Sequence, residues 1–299
     1  MQPEKAIVAL DLDGTLLDSD KNLSERNRAA LAAAAARGAL VVPTTGRFFG
    51  AMPRQVRELP FVRYAITING AQIWDAANGR SVAQALVPLE EALAVFDVLA
   101  RFDVLPECYV DNWGLNSEAS AAAAAEYAPD AHYLDMILNL RRHVPDVAAH
   151  LRATGLGVQK ILAFAKDPAL FPEVAAAVKS VAPDLVATTS HPRLFEFNAP
   201  GAHKGEALRK FCAAVGRDVE NAIALGDGMN DLSMIRAAGV GVAMANSAPE
   251  VLAAADWVAP SNDDDGVAAA VERFLLGGQG REEERSSAQP SPPSSPSEP

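Results

Sequence analysis

Short apolar runs alternate with longer segments of helical pattern over the first 70 residues of the chain. Residues 6–10 are apolar throughout and are flanked by turn-forming residues, as is typical of a strand buried on both faces of a parallel sheet. Ser24 precedes the alanine-rich segment 25–37 and Gly38 follows it, which predicts a helix with a serine N-cap and a glycine stop. The next predicted elements are strands at 39–43 and 64–68 and a helix at 51–58. Strands that alternate with helices predict a doubly wound, mostly parallel α/β sheet of the Rossmann-like kind.

From about residue 82 the order of elements becomes less regular. Helical patterns are found at 88–102, 119–127 and 168–181, and extended segments at 107–116, 158–165, 185–189 and 194–197. The regular alternation resumes after Pro200, with a predicted helix at 205–215 and strands at 221–225, 239–244 and 257–258. The sequence therefore predicts a discontinuous α/β core domain of residues 1–81 and 191–276, interrupted by an inserted α+β cap domain of residues 82–190.

The composition is that of a globular chain with a polar C-terminal segment. The 299 residues are 49% hydrophobic and 21% charged. Residues 277–299 are rich in Ser, Pro and Glu and contain almost no large apolar side chain, so this tail is predicted to be disordered. Cys108 and Cys212 are far apart and show no metal-ligand spacing, and we expect two buried free thiols.

The chain carries a net charge of −12, from 38 acidic and 26 basic residues. This balance argues against nucleic acid as a partner, because Lys and Arg supply most of the affinity for a phosphate backbone, and it disfavours anionic membrane surfaces. No apolar stretch approaches the ~20 residues that span a bilayer, and no signal pattern precedes the first strand. We expect a cytoplasmic protein, a monomer or weak homodimer, whose partner is a small molecule rather than nucleic acid or membrane.

Two carboxylates stand where the first predicted strand ends. Asp11 falls at the carboxyl end of the strand, and the crevice outside such ends is where ligands bind in doubly wound sheets. Extended residues alternate faces, so Asp11 and Asp13 can point to the same side, and Gly14 permits a tight turn directly after them. Such a pair can hold a hard cation, or one carboxylate can attack while the other transfers protons. The alternative is an aspartate that only caps the following turn.

Other polar groups are predicted at the same edge of the sheet. Thr45-Gly46-Arg47 follows the second strand, Asn69 follows the third, Lys204 precedes a helix, and Gly226-Asp227-Gly228-Met229-Asn230-Asp231 follows a later strand. Together they supply a hydroxyl, backbone N–H groups, one ammonium and an acidic cluster. Arg47 is interpreted as a structural residue that pairs with a core carboxylate.

This combination of groups predicts phosphoryl transfer. Asp11, Asp227 and a backbone carbonyl near Asp13 would hold Mg²⁺, which prefers oxygen ligands. The cation, the Lys204 ammonium and the backbone N–H groups would offset the charge that develops on the transferring phosphoryl group.

The same residues, taken in order along the chain, resemble the four motifs of the haloacid dehalogenase-like phosphatase superfamily. The motifs are Asp11-Leu12-Asp13-Gly14-Thr15, Thr45-Gly46-Arg47, Lys204, and residues 226–231. The insertion between the second and third motifs resembles that of the Cof-type subfamily, class IIB, as do Ile68-Asn69-Gly70-Ala71 ahead of it and Ala243-Met244-Ala245-Asn246 after the fourth motif. The similarity covers about residues 5–276, which is nearly the whole predicted folded part.

The resemblance implies distinct roles for the two carboxylates of the first motif. Asp11 would be the nucleophile that forms an aspartyl-phosphate, and Asp13 would protonate the leaving oxygen and then activate water. The superfamily's phosphatases carry an Asp at the position of Asp13 and its dehalogenases lack it, so dehalogenation is disfavoured. Lys204 would bridge the phosphate and Asp11. This predicted catalytic set is therefore Asp11, Asp13 and Lys204.

The resemblance also implies the binding residues. Thr45 and the N–H groups of Gly46 and Leu12 would hold phosphoryl oxygens, with Asn69, Asn230 and Lys204 completing the predicted substrate contacts. The predicted metal site consists of Asp11, Asp13 through its backbone carbonyl, Asp227, and Asp231 through the waters of the ion.

The predicted function is a Mg²⁺-dependent phosphatase that hydrolyses a small phosphomonoester, such as a sugar phosphate or related metabolite, through an aspartyl-phosphate. The alternatives are a phosphomutase with the same chemistry and a non-catalytic phospho-ligand-binding protein. The sequence leaves the phosphomonoester open. His203 stands where relatives have a small polar residue, and we expect it to cap the following helix rather than contact phosphate.

Overall fold

A computed structural model describes residues 1–277 of the chain. Its strands are β1 Ile7–Leu10, β2 Leu40–Pro43, β3 Tyr64–Thr67, β4 Gln72–Asp75, β5 Arg80–Gln84, β6 Val104–Val110, β7 Trp113–Ser117, β8 Arg141–Val144, β9 Val158–Ala165, β10 Val186–His191, β11 Leu194–Asn198, β12 Ala222–Gly226, β13 Val240–Met244 and β14 Trp257–Ala259. Its α-helices are α1 Glu25–Ala36, α2 Arg54–Arg57, α3 Leu89–Leu99, α4 Glu118–Tyr127, α5 Ala131–Asn139, α6 Val147–Thr154, α7 Phe171–Val181, α8 Lys204–Ala214, α9 Leu232–Ile235, α10 Pro249–Leu252 and α11 Gly266–Val271. The predicted disordered tail, Gly277 apart, lies outside the described residues.

The core sheet contains five parallel strands in the order β14-β13-β12-β1-β2. Its inner strand β1, between β12 and β2, is buried along its whole length, because helices cover both faces of the sheet. Val8 and Leu10 pack with residues of α1 and α11 on one face, while Ile7 and Ala9 pack with residues of α8 on the other. The prediction of a doubly wound, mostly parallel sheet is therefore confirmed.

A small antiparallel sheet of β3, β4 and β5 extends the core at the β2 edge. A bridge between Thr44 and Ile66 joins it to the end of β2. The extension matters for the site because it brings the residues after β3 next to the residues after β2.

The cap sheet has six strands in the order β10-β11-β9-β6-β7-β8, and every neighbouring pair except β7-β8 is antiparallel. One face packs against α3, α6 and α7 in an apolar core that includes Ile161 and Phe195. The other face is turned toward the core domain: Leu162 and Leu194 share an apolar cluster with Phe48 and Ile68 of the core loops. The predicted α+β character of the insertion is confirmed.

The predicted domain boundaries both fall inside strands. Residue 81 lies within β5, which pairs with β4 of the core extension, and residue 190 lies within β10 of the cap sheet. Moreover, β11 pairs with β9, although the sequence places residues 194–198 in the core. We therefore place the inserted domain between Gln84 and Asn198, so that each strand stays with the sheet that completes its hydrogen bonds.

Two further elements differ from the predictions because of local backbone constraints. The predicted helix at 51–58 is broken before Pro53. Met52 is extended, with φ −67° and ψ 142°, because the proline ring disfavours a helical conformation of the residue before it. The predicted extended segment 107–116 is the hairpin β6–β7, whose turn residues Asp111 and Asn112 both have positive φ, of 48° and 63°. Asp and Asn tolerate this conformation better than most residues.

Within residues 1–277, every helix is too short or too polar to cross a membrane. Both cysteines are buried and free, as expected.

Candidate active site

The predicted site residues from distant parts of the chain meet at one edge of the core sheet. Asp11 follows β1, and its N–H continues the ladder by donating to Leu225 O at 2.9 Å. Thr45 follows β2 and donates its N–H to Ile66 O at 2.9 Å. Asp227 follows β12, the parallel neighbour of β1. The strand ends therefore hold these residues through backbone hydrogen bonds.

Lys204 lies between two of the predicted carboxylates. It is the first residue of α8 and is fully buried, and its Nζ donates to Asp11 Oδ1 at 2.6 Å and to Asp231 Oδ1 at 2.5 Å. The next residue, Gly205, packs so closely against the start of α9 that a Cβ would lie 2.2 Å from Ser233 O. This close approach fixes the start of α8, and with it the ammonium, against the acidic loop.

The acidic loop after β12 is closed by its own last carboxylate. Asp231 Oδ2 accepts the N–H groups of Asp227 at 3.1 Å and Gly228 at 2.9 Å. Thr15 Oγ1 donates to Asp227 Oδ1 at 2.7 Å, which ties the loop to the residues after β1. Asp231 therefore organises the loop with one oxygen and contacts Lys204 with the other.

The electrostatics of the cluster reflect burial opposed by ion pairing. Burial, opposed by Lys204 and reinforced by Asp231, raises the pKa of Asp11 to about 7. Burial is also the main reason that the pKa of Asp227 is raised, although the Thr15 hydrogen bond acts in the opposite direction. Burial alone would lower the pKa of Lys204, but Asp11 and Asp231 outweigh it and raise that pKa. The ammonium is therefore held in its charged form.

Three carboxylates of the cluster fit a hard divalent cation. Asp11, Asp227 and Asp231 each offer an oxygen within 4.8 Å of the others, and among residues 1–277 the one ammonium in contact with them is Lys204, on Asp11 and Asp231. With all three carboxylates ionised, this set carries an excess of two negative charges, and all its donors are oxygen atoms, the ligands that Mg²⁺ prefers. Gly14 leaves space beside it, since a Cβ there would lie 2.5 Å from Asp227 Oδ2.

Asp13 lies apart from the acidic cluster in an ion-pair network of its own. Arg47 binds it with two hydrogen bonds, Nε to Oδ2 at 2.9 Å and Nη2 to Oδ1 at 3.0 Å, and Lys21 Nζ lies 3.1 Å from Oδ1. Burial would raise the pKa of Asp13, but these two cations outweigh burial and lower it. The carboxylate is therefore ionised at neutral pH. The predicted metal contact of Asp13, through its backbone carbonyl, stays a prediction.

A left-handed turn after β3 brings the remaining predicted substrate contacts together. Ile68, Asn69 and Gly70 all have positive φ, of 55°, 53° and 100°. Asn69 donates its N–H to Thr45 O at 3.0 Å and accepts from Asn230 Nδ2 at 3.2 Å. Gly70 tolerates this conformation and also a close packing, because a Cβ there would lie 2.5 Å from His203 O.

The N–H groups of Leu12 and Gly46 complete this side of the site. Neither contacts an acceptor in the part of the chain that the structure describes. The Leu12 side chain itself is fully buried in the core. These two N–H groups are therefore available to a bound anion.

The carboxylates face a cavity of about 510 Å³ between the core and the cap. The core contributes Asp11, Asp13, Thr45, Gly46, Arg47, Asn69, Asp227, Asn230 and Asp231, and the cap contributes Tyr109, Tyr133, Met136, Lys160, Leu162, Ser190, Leu194 and Glu196. A second cavity of about 630 Å³ adjoins it and shares Asn69, Asn230, Ser190 and Glu196. The volumes are those of small-molecule sites.

Sequence reasoning missed several residues that hold this arrangement. Thr15 and Lys21 contact Asp227 and Asp13 respectively, and Asn246 Nδ2 donates to Gly14 O at 2.8 Å. In the cap, a signal existed that was not used: Lys160 and Glu196 are charged residues within otherwise apolar runs that form strands. His203, which was expected to cap the following helix, is the N-cap of α8, where its Nδ1 accepts the Glu206 N–H at 3.2 Å.

Comparison with known proteins agrees with this geometry. The family model of the haloacid dehalogenase-like hydrolases matches residues 8–271. The 5-amino-6-(5-phospho-D-ribitylamino)uracil phosphatase YcsE of Bacillus subtilis is 28% identical over 271 residues, covering 90% of this chain and 96% of that protein. The pyridoxal phosphate phosphatase YbhA of Escherichia coli is 29% identical over 274 residues, covering 90% of this chain and 98% of that protein.

The chain belongs to the haloacid dehalogenase-like hydrolase family, and its named relatives are phosphatases. The solved structure of the subclass IIB sugar phosphatase BT4131 superposes with a TM-score of 0.72 at 23% identity, covering 90% of this chain and 98% of that one. The predicted family and the predicted class IIB architecture are confirmed.

Proposed function

We propose that the protein is a Mg²⁺-dependent phosphatase that hydrolyses a small phosphomonoester through phosphorylated Asp11. The observation that carries this proposal is the buried Lys204 ammonium, which is held between Asp11 and Asp231, two carboxylates that line the cavity. An ammonium in this position offsets the repulsion that a phosphate dianion would otherwise meet from the carboxylates. The names of the relatives support a phosphorylated metabolite as the substrate.

Asp11 acts first, as the nucleophile. Its Oδ1 is held by Lys204, which leaves the other carboxylate oxygen to attack phosphorus. A bond forms between this oxygen and phosphorus while the bond from phosphorus to the leaving oxygen breaks. Asp13 first takes up a proton from solvent and then gives that proton to the leaving oxygen. The products of this step are the free alcohol and phospho-Asp11.

Hydrolysis of phospho-Asp11 reverses the role of Asp13. Its carboxylate takes a proton from water as the water oxygen attacks phosphorus, which releases inorganic phosphate and restores Asp11. Arg47 and Lys21 favour the ionised form that this second step uses. The same two cations also keep the carboxylate oriented toward the cavity.

The loops after β1, β2 and β3 bind the phosphate. The N–H groups of Leu12 and Gly46 and the hydroxyl of Thr45 bind phosphoryl oxygens, with Asn69 and Asn230 at the edge of the site. Asp11 and Asp227 would hold Mg²⁺, with Asp231 acting through its waters, and the bound ion would neutralise part of the phosphoryl charge. The cap covers the cavity and limits the access of water.

A direct test is the release of phosphate from p-nitrophenyl phosphate with Mg²⁺, with EDTA, and with Mg²⁺ restored. The proposal expects turnover that EDTA abolishes and Mg²⁺ restores. Absence of turnover with every divalent ion would instead indicate a non-catalytic phospho-ligand-binding protein. Sustained phosphate release without an added bisphosphate activator excludes the phosphomutase alternative.

A further inference from the structure

The cap places a second buried ammonium above the phosphate site. Lys160 on β9 and Glu196 on β11 form an ion pair, with Nζ 2.7 Å from Oε1 and side chains only 2% and 6% exposed. Their strand neighbours Ile161 and Phe195 point into the apolar core on the opposite face of the sheet. Side chains alternate along strands, so Lys160 and Glu196 face the core domain, and both line the cavity that contains Asp11.

The pair has hydrogen-bonding capacity that the protein does not use. An ammonium has three N–H groups, and Glu196 Oε1 is the one side-chain acceptor that Lys160 Nζ contacts within residues 1–277. The same Oε1 also accepts from Ser190 Oγ at 2.9 Å, whereas Oε2 contacts no donor in that part of the chain. The pair therefore offers both donors and an acceptor to a molecule in the cavity.

The cap also contributes apolar surface to the cavity. Leu162, Leu194 and Met136 line it together with the ring of Tyr133, which packs against Phe164 with centroids 5.9 Å apart. The remaining cap residues that line the cavity are Tyr109, His132 and Ser190. A polar pair beside an apolar wall is complementary to a ring or chain that has hydroxyl groups along one edge and carbon along the other.

We propose that the Lys160–Glu196 pair selects the leaving group by binding its hydroxyl groups directly. One hydroxyl donates to Glu196 Oε2 while it or its neighbour accepts from Lys160 Nζ. Because the pair is neutral as a whole, it gives a second phosphate or carboxylate group no net attraction. The inference rests on the proposed phosphatase function and adds the residues that distinguish one phosphomonoester from another.

A second buried pair in the same sheet provides a matched control. Arg141 donates to Glu107 Oε1 at 2.9 and 2.6 Å, and both side chains are fully buried, but neither residue lines the cavity. The two pairs share the sheet and the burial and differ in access to the substrate. A change in substrate preference that appears at Glu196 and not at Glu107 is therefore specific.

The first experiment compares kcat/KM for ribose 5-phosphate and phenyl phosphate, which lacks hydroxyl groups. The double variant Lys160→Met/Glu196→Met removes both charges together, because one partner left alone would be a buried unpaired charge. We expect the preference for ribose 5-phosphate to fall about 10- to 100-fold, in line with the loss of charged hydrogen bonds. A wild type without this preference, or an unchanged ratio in the folded double variant, overturns the proposal.

The second experiment removes the negative charge of Glu196 and keeps Lys160. In Glu196→Gln the positive charge of Lys160 is no longer compensated and can attract a second phosphate group. The ratio of kcat/KM for fructose 1,6-bisphosphate to kcat/KM for fructose 6-phosphate should therefore rise by about tenfold. Glu107→Gln should leave this ratio unchanged. Equal ratios in wild type, Glu196→Gln and Glu107→Gln would count against a neutral hydroxyl-binding pair.

Binding separates this inference from the proposed function. Calorimetry with Asp11→Asn protein measures the affinity for ribose 5-phosphate without turnover. The triple variant that also carries Lys160→Met and Glu196→Met should bind ribose 5-phosphate about tenfold more weakly, or weaker still. If wild type hydrolyses nothing but this difference in affinity is found, the phosphatase proposal fails and the role of the pair stands. If hydrolysis is found and the affinities are equal, only the role of the pair fails.

Discussion

Lys204 in the core and Lys160 in the cap are both buried ammoniums, yet their surroundings carry different charge. Lys204 contacts two carboxylates of a cluster of three, whereas Glu196 is the one carboxylate that Lys160 contacts among the residues that the structure describes. With its carboxylates ionised, the core site is therefore negative by two charges, and the cap pair is neutral. An unbalanced buried cluster requires an additional cation or a reacting group, and a balanced pair does not. The difference separates the face that performs chemistry from the face that distinguishes substrates.

The carboxylate cluster of the core and the Lys160–Glu196 pair of the cap also differ in the contacts that hold their side chains in place. The core carboxylates stand at strand ends and in a loop that Asp231 closes by accepting two backbone N–H groups. The cap pair lies within two strands, and the hydrogen bonds of its side chains in the described part of the chain are to other side chains. A substitution in the core cluster therefore disturbs loop structure, while a substitution in the cap changes a surface on an intact sheet.

The largest expected effect is that of Asp11→Asn, which removes the attacking carboxylate but nearly preserves its shape. We expect kcat on p-nitrophenyl phosphate to fall by about 10³-fold or more, as for other enzymes that lose their nucleophile. The exposed Asp20, on the same loop, provides the control, and Asp20→Asn should retain activity. Retained activity in Asp11→Asn with unchanged circular dichroism would show that another residue attacks phosphorus.

Lys204→Met and Lys160→Met compare the two ammoniums directly. Each leaves a carboxylate buried without its partner, and we expect the free energy of unfolding to fall by about 3–5 kcal/mol in both. Added Mg²⁺ should raise the melting temperature of Lys204→Met by more than that of Lys160→Met, because the core cluster without its ammonium binds the cation more tightly, and a ligand of the native state stabilises the protein in proportion to its affinity. Equal Mg²⁺ shifts would mean that Lys204 has no influence on cation binding by the cluster.

Phe48→Ala tests the contact between the two faces. Phe48 follows Arg47 in the core, is 1% exposed, and packs edge-to-face on Tyr109 of the cap with centroids 5.4 Å apart. We expect denaturant unfolding to show a loss of about 3 kcal/mol, together with a raised KM because the cap cavity loses a wall. An unchanged KM would indicate that the cap is held over the site by other contacts.

The smallest effect is expected at a balanced pair that faces no cavity. Hydrogen bonds from Arg63, assisted by Asn78, lower the pKa of Asp75 from its ordinary 3.8 to about 2. A lowered folded-state pKa contributes stability that is complete above about pH 4 and is lost as the pH falls through 2. Asp75→Asn should therefore flatten the acid limb of a plot of unfolding free energy against pH. An identical limb in both proteins would mean that Asp75 does not titrate in this window.

Strands that are buried along their whole length were predictable from the sequence in both domains. The strands β1 of the core and β9 of the cap are mainly apolar runs that contrast with their flanks, and the predicted bounds of β9 match the structure. The strand β5 and the helices α5 and α6 were missed, because their partly exposed sequences have weaker apolar contrast, and the short, mostly buried strand β4 was missed as well. Local rules were also overlooked, such as the effect of Pro53 on Met52.

In the site, too, local sequence patterns predict some features and not others. The residues at strand ends could be predicted because a parallel sheet brings its carboxyl ends to one edge. The pairing of Arg47 with a core carboxylate was expected, but its partner Asp13 depends on side-chain directions that a sequence does not specify. The contact of Lys160 with Glu196 depends on the register between β9 and β11, which no local pattern encodes.

The parallel pairing of β1 with β12 has a consequence for biogenesis. Asp11 and Asp227 follow neighbouring strands of the sheet, but 216 residues separate them in the sequence. At ~5–20 residues per second, the ribosome takes tens of seconds to make the second residue after the first. The insertion between Gln84 and Asn198 is synthesised during this interval and can fold on local contacts, while one backbone edge of β1, the edge that pairs with β12, has no partner. The nascent protein can thus acquire its substrate-selecting half before its reactive half, and β1 is the segment with which we expect a chaperone to associate.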